Sequence, residues 1–456
     1  MIKKTIITSL LIASSAIAFA NSSVPSNTSS TNSSNRVMAG YIDVAAMGAA
    51  SNVDFSQVAK DGYNEVIISF ATIDANNQIF FDPSYSEFAV QKVQEAKAAG
   101  LKVLVSVGGE NNTYTPNGTD AKGLAQNIVN FLNKYGLDGI DFDIEIVETA
   151  TNNGTYLRDV IANIKDIDSS KQVVIAPQIN GDKLVSKENS EFYAPLFSQA
   201  NKILNLVDYV FVQNYNTTPE QNPEFVQNAF KITTDYIGAK TAKVVIGYPT
   251  AAQGAGAATV YFPHFDGDYN NPPAKSSALT TYDAMKSVYD NLGNIPQNNK
   301  FAGFMGWSLN VDYAPSMYTG ADKFPAHGKG DFAYYMSPCA LDSEKCSAIK
   351  EERPVDQVAD ILINNNSTAY GFDGITFTDA NGKSETTNGW IGVKTSNNNA
   401  TSPIGASVTV SPLIGWYTKP LKCPTKMDTT KDKVVEINVT QNAATGTLNI
   451  VCEFHK

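Results

Sequence analysis

Between residues 37 and 328 short apolar runs rich in Val, Ile and Phe alternate with stretches whose apolar positions recur every three or four residues. This is the pattern of a parallel sheet built from βα units. Eight runs qualify as strands: MAGYIDVA near 38, NEVIISFA from 64, LKVLVSV from 101, LDGIDFDI from 137, QVVIAPQ from 172, VDYVFVQN from 207, AKVVIGYP from 242 and FAGFMGWS from 301. Helices are legible between them. Ser84 followed by Glu87 has the spacing of a capping box, the helix it opens runs through Val93 and Ala96, and Gly100 stands where a helix ends. Another helix puts Leu124, Ile128 and Phe131 on one face and stops at Gly136.

Eight such units predict an α/β protein, a (β/α)8 TIM barrel over residues 37–328, with its chemistry at the C-terminal ends of the strands. The eighth helix is the weak element, because residues 313–330 hold two prolines and several glycines, and an irregular closure is expected there. The competing architecture is an open doubly wound sheet, but no GxGxxG turn follows the first strand. After about residue 330 the texture changes to Asn/Thr/Gly clusters and short alternating runs such as GITFTDA, ASVTVSP, VVEINVT and TLNIVCEF. Residues 329–456 are therefore expected to form a smaller, disulfide-containing β-rich accessory domain. The stretch PVDQVADILI reads as a short helix joining the two.

The first twenty residues, MIKKTIITSLLIASSAIAFA, have two lysines, an apolar run and an Ala-Phe-Ala end, the layout of a secretory signal at 1–20. A membrane anchor is the alternative, disfavoured by the shortness of the run. Residues 21–36, rich in Ser, Asn and Thr, hold too little apolar surface to fold and read as a tether. A secreted protein, extracellular or periplasmic, is the expectation. Export makes disulfides the expected state of Cys339, Cys346, Cys423 and Cys452, which permit three pairings. Cys339 with Cys346 and Cys423 with Cys452 is the preferred one. There is no CxxC spacing, and His264, His327 and His455 are scattered, so no metal and no cofactor is expected.

Hydrophobic residues make up 43% of the 456 and charged residues 17%, which suits a large buried core. The formal charge is −11, and losing Lys3 and Lys4 with the signal makes it −13. Such a chain has no basic field for nucleic acid or an anionic membrane, so a neutral ligand is expected; the chain is read as a monomer.

Against that background residues 137–145, LDGIDFDIE, place four acids inside an apparent core strand. Side chains alternate along a strand, so Asp141, Asp143 and Glu145 share one face and Ile140, Phe142 and Ile144 the other. In a barrel the apolar set faces the helices and the carboxyls point into the axis, Glu145 outermost. Neighbouring acids on one face are roughly 6.6 Å apart, and at an effective dielectric of about 20 they repel by about 2.5 kcal/mol. The row should then retain a proton near neutral pH, as a general acid for glycoside cleavage must. An acidic solvent face of an antiparallel strand is the bland alternative, but the neighbouring strands are apolar and βα-connected. Calcium binding would need a loop instead of a straight strand. Asp138, on the opposite face, reads as structural.

At these residues the sequence resembles glycoside hydrolase family 18, the chitinase family. Asp138, Gly139, Asp141, Asp143 and Glu145 meet its DGxDxDxE signature. SVGG at 106–109 matches its SxGG, GWSLNVD with Trp307 resembles its eighth-strand tryptophan segment, QNYN at 213–216 its sixth-strand variant, and APQ at 176–178 fits the fifth strand. The resemblance spans residues 38–312 and does not reach the C-terminal domain.

The resemblance implies that Glu145 protonates the glycosidic oxygen. Asp143 orients the substrate's N-acetyl group as it attacks the anomeric carbon, the substrate-assisted variant of retaining hydrolysis, and Asp141 holds the proton balance of Asp143. It further implies that Tyr215 donates to the acetamide with Gln213 and Asn216 beside it, and that Trp307 floors the cleaved sugar. Gly108 and Gly109 are expected either to end a strand or to form a side-chain-free rim beside the sugar. The connection over 249–300 is too short for a groove-walling insertion, which favours an open groove and internal cleavage.

The expected function is a secreted endo-acting chitinase acting on chitin or other N-acetylglucosamine-containing glycans. The alternative is an endo-β-N-acetylglucosaminidase that cuts N-glycan cores. A non-catalytic lectin is a third reading, opposed by the intact Glu145. Trp390, Trp416 and Tyr417 could stack on sugar rings in the accessory domain or serve as its core.

Overall fold

The computed structural model describes residues 36–147, 154–186, 192–193, 196, 205–216, 224–251, 254, 281–315 and 328–349, and C-terminal segments between 358 and 455. Eight strands form the centre: β1 Val37–Asp43, β2 Glu65–Ile73, β3 Lys102–Gly108, β4 Gly139–Asp143, β5 Gln172–Ile175, β6 Tyr209–Gln213, β7 Lys243–Pro249 and β8 Phe301–Trp307. Each pairs in parallel with the next, from β1 to β8. β8 pairs back onto β1 through Val37 to Gly40 against Gly303 to Gly306, which closes the barrel and rules out the open sheet. All eight expected runs are strands.

Around them lie α1 Phe55–Asp61, α2 Ser86–Ala98, α3 Ala121–Tyr135, α4 Gly154–Ile167, α5 Phe225–Ile237 and α6 Thr281–Leu292. In α3 the expected face is buried, with Leu124, Ile128, Val129, Phe131 and Leu132. Asp120 caps its start by accepting from the Gly123 amide at 2.8 Å, and Gly136 ends it at φ 67°. The capping box expected at Ser84 is not formed. Asp82 draws both the amide and the hydroxyl of Ser84 at 2.8 and 2.6 Å, and α2 begins two residues later behind Tyr85.

Of the stretch 313–330, where an irregular closure is expected, residues 316–327 lie outside the described residues. Past the Gly/Pro-rich stretch a helix, α7 Asp331–Leu341, packs on β8, β1, α1 and α6 and takes the eighth helical position. Its Phe332, Met336 and Cys339 belong to the layer between strands and helices. The barrel thus runs past residue 328. The Cys339–Cys346 disulfide, with the expected pairing, fastens the end of α7 to the turn beyond it. Cys452 is disulfide-bonded too, and Cys423 lies outside the described residues.

Two apolar layers result. Ile140, Phe142 and Ile144 pack outward among Leu124, Leu157 and Ile161, whereas Ala39, Ile67, Leu104, Val174, Phe211, Val245 and Met305 fill the barrel axis. The smaller C-terminal region is β-rich. One four-stranded sheet is built from 358–365, 395–403, 434–441 and 448–455, the other from 372–378, 384–387, 407–412 and 421–422. PVDQVADILI is therefore no helix: Val358–Asn365 is a strand, paired on both sides with 395–403 and 434–441. Backbone pairing with a strand on each side overrides the short helical pattern. Trp390, Trp416, Tyr417, His264 and residues 1–35 lie outside the described residues.

Candidate active site

The parallel register of β3 on β4 sets Ser106 beside Asp141 and Gly108 beside Asp143. Asp141 is fully buried and Asp143 is 5% exposed, while Glu145, two residues past the end of β4, is partly exposed. The acidic row therefore climbs out of the barrel with Glu145 outermost. Asp138, on the other face, accepts from the Val103 amide at 2.8 Å and pairs with Lys97 of α2 at 3.2 Å, the structural role expected.

The Asp141 Oδ2 accepts from the Ser106 hydroxyl at 2.6 Å and the Tyr41 hydroxyl at 2.9 Å. Its Oδ1 is buried with no hydrogen-bond partner among the described residues. An ionised carboxyl so placed is costly, and burial raises the Asp141 pKa to about 7 against the pull of those two hydrogen bonds. The shift favours a proton held in the row, and its leading cause is desolvation and not repulsion between neighbouring acids. Burial and the nearby Asp141 also push the Tyr41 phenol up, so it stays a donor.

Gln213, at the end of β6, is 3% exposed, and its amide donates to Asp143 Oδ1 at 2.7 Å and to the Ala176 carbonyl at 3.0 Å. Its contact is thus with the carboxyl, beneath any open groove. Asp143 thus meets the row with Oδ1 committed to Gln213. Tyr215 is 5% exposed and packs with the barrel-axis residues, and Asn216 is exposed at φ 60°. Trp307 ends β8 partly exposed, its ring 5.8 Å from Tyr41 and 6.0 Å from Phe70. Tyr41 therefore touches both Asp141 and Trp307.

Of the two alternatives for the glycines, Gly108 takes the first, as the last residue of β3. Both glycines are buried. At Gly108, φ 113°, a Cβ would be driven into the Asp143 carbonyl, and at Gly109 it would lie 2.6 Å from the Phe70 ring. The Gly109 amide donates to that same carbonyl at 2.7 Å. These glycines let β3 approach the backbone that carries Asp143. Two residues of the cluster were missed in the sequence: Tyr41, in a strand with no motif, and Ser106, the first residue of SVGG.

Among the described residues no group of three or more His, Cys, Asp or Glu is arranged to hold a metal. Nor does any described helix have the length and apolarity to cross a membrane.

The chain is 26% identical over 271 residues to an acidic endochitinase from Beta vulgaris, covering 55% of this chain and 80% of that protein. Among solved structures it is similar to a family GH18 chitinase from Chromobacterium violaceum, at 21% identity over 68% of this chain and 84% of that one, with a TM-score of 0.44. The catalytic domain of a hyperthermophilic chitinase from Pyrococcus furiosus is similar at 15% identity over 70% and 99%, with a TM-score of 0.47. The family model described as Glycosyl hydrolases family 18 matches residues 37–312, the whole span from β1 to the turn after β8. With the acidic row of β4 inside a closed (β/α)8 barrel and this match over more than half its length, the chain belongs to glycosyl hydrolase family 18.

Proposed function

We propose that this glycoside hydrolase is a secreted, endo-acting chitinase that cleaves β-1,4 linkages between N-acetylglucosamine units with retention of configuration. The observation that carries the reading is the single acidic row: Asp141 and Asp143 on β4 and Glu145 two residues past its end, graded from buried to partly exposed. Two-carboxylate retaining glycosidases set acid and nucleophile on opposite sides of the bond about 5 to 5.5 Å apart. A row on one strand approaches the bond from one side, which suits a reaction whose nucleophile is supplied by the substrate.

In this reading Glu145 gives its proton to the glycosidic oxygen as the bond to the anomeric carbon breaks. The acetamide oxygen of the same sugar forms the new bond to that carbon. Asp143, steadied by Gln213, accepts from the acetamide N–H and balances the charge that develops there. Asp141, whose proton is held by burial, is the neighbour through which the charge of Asp143 can be adjusted. Water then opens the cyclic intermediate while the Glu145 carboxylate takes its proton. Tyr215 and Asn216 follow the end of β6, whose Gln213 holds Asp143, and in this reading they bind the acetamide while Trp307 offers the sugar an apolar face.

The beet relative's description as an endochitinase supports chitin and internal cleavage. The full chain should be incubated in parallel with colloidal chitin and with a glycoprotein bearing N-glycans. Soluble N-acetylglucosamine oligomers from the first, with glycans left on the second, support the proposal. Glycan release without chitin hydrolysis moves the enzyme to N-glycan cores, and hydrolysis of neither removes the catalytic reading.

A further inference from the structure

Strand β4 loses its neighbour on one side just where the acidic row becomes exposed. Its pairing with β5 ends at Phe142 opposite Ile175, where the Ala176 amide still donates to the Phe142 carbonyl at 3.1 Å. Beyond Pro177 the chain turns away, and Gln178 pairs with Gln213 of β6 instead. In a strand the carbonyl of one residue and the amide two residues later point the same way. The Ile144 amide therefore faces the vacated β5 side, between Asp143 and Glu145, with no strand to receive it.

That place is filled by a side chain. The Tyr193 hydroxyl accepts from the Ile144 amide at 2.8 Å, and its own proton is directed at the carbonyls of Phe142, at 3.1 Å, and Ile144, at 3.3 Å. One oxygen thus touches all three peptide units that link Phe142 to Glu145. Tyr193 is fully buried, its ring edge-on to Phe192 at 5.3 Å. Burial, with the charge of Asp143, pushes its phenol well above the usual range, so it remains a neutral donor and acceptor. On the opposite edge the Gly109 amide holds the Asp143 carbonyl at 2.7 Å. The segment bearing both outer acids is gripped from its two sides.

We infer that Tyr193 is a positioning residue for Asp143 and Glu145, its hydroxyl replacing the missing strand and fixing the backbone from which both carboxyls project. The inference rests on the catalytic reading of those two acids given above. No bond to substrate is asked of it. Its contribution comes through geometry, and a displacement of about 1 Å at a reacting group can cost on the order of a hundredfold in rate.

The test compares the full-length wild type with Tyr193→Phe and Tyr248→Phe. Tyr248 is a fitting control: it is equally buried, but its hydroxyl has no hydrogen-bond partner among the described residues. Two readouts are taken, deuterium exchange over the peptide spanning Phe142 to Glu145, and steady-state kinetics on soluble N-acetylglucosamine oligomers. Tyr193→Phe should speed exchange in that segment about tenfold while leaving α3 protected. It should lower kcat by about tenfold or more with KM within about twofold, since the groove itself is untouched. Tyr248→Phe should change neither.

Unchanged exchange in Tyr193→Phe overturns the inference whatever the activity, and so does faster exchange with kcat within about twofold of wild type. An equal kcat loss in Tyr248→Phe, or a Tyr193→Phe chain that does not fold, assigns the hydroxyl to general stability and also overturns it. Should the wild type cleave no oligomer, the catalytic reading fails on its own, while the exchange data still decide whether Tyr193 holds the strand end.

Discussion

Asp141 carries its carboxyl into the barrel with one oxygen held by Tyr41 and Ser106 and the other unbonded among the described residues. Its pKa, about 7 against an ordinary value of 3.8, has a consequence for stability. The folded state binds a proton that the unfolded chain has already released. This contribution is complete below about pH 4 and is lost as pH rises through about 7. Glu65, buried at the opposite end of the barrel, is also raised to about 7 by burial, against the opposing charge of Lys102, and adds in the same direction. The melting temperature should therefore fall as pH rises from about 4 to about 7 and level off above that, and Asp141→Asn, which keeps a neutral side chain, should flatten the slope. A slope unchanged in Asp141→Asn would show that the group is already ionised at neutral pH. Glu145→Gln isolates the other end of the row. The amide fills the same space but has no proton to give, so binding of chitin oligomers should persist while kcat falls by about two orders of magnitude or more. Activity within a few-fold of wild type would remove Glu145 from the mechanism.

At the scale of elements, β4 works because its neighbours are built around it. Gly108 lets β3 run against the Asp143 carbonyl at a φ of 113°, where a side chain has neither space nor a comfortable backbone. Gly108→Ala should cost at least about 2 kcal/mol of stability and lower activity with it, as thermal unfolding and oligomer hydrolysis would show. A neutral substitution would mean that β3 and β4 can separate without harm. The eight strands were legible in the sequence because each is a short apolar run between polar turns, and the acidic row because alternation along β4 sorts its residues without further information. The helix α7 was not: DFAYYMSPCAL is apolar on most sides, contains Pro338 and follows a Gly/Pro-rich stretch. Only its packing against β8 and β1 identifies it. Tyr193 left no signal either, since its role depends on where β5 stops, and it lies 49 residues from the amide it receives. The glycines of SVGG were visible as a motif, but their purpose, close approach to Asp143, is a property of two strands together.

For the molecule as a whole, the barrel supplies the chemistry and extends through α7 to the Cys339–Cys346 bridge. A chain ended at residue 349 keeps that helix and should cleave short soluble oligomers at close to the full-length rate. If Trp390 and Trp416 present sugar-binding faces, each worth about 0.5 to 2 kcal/mol, the shortened chain should adsorb to insoluble chitin several-fold less well. Unchanged adsorption would return both tryptophans to the core of their domain. Ending the chain at 330 should instead destabilise the barrel, because buried Phe332, Met336 and Cys339 leave with α7. The central claim is that one strand of acids works with the substrate's own acetamide. Its most direct test is proton NMR of the first products released by the full chain from a soluble β-1,4-linked N-acetylglucosamine oligomer, read before mutarotation. Substrate assistance predicts the β anomer at the newly formed reducing end. Initial release of the α anomer would mean direct attack by water and would contradict the account.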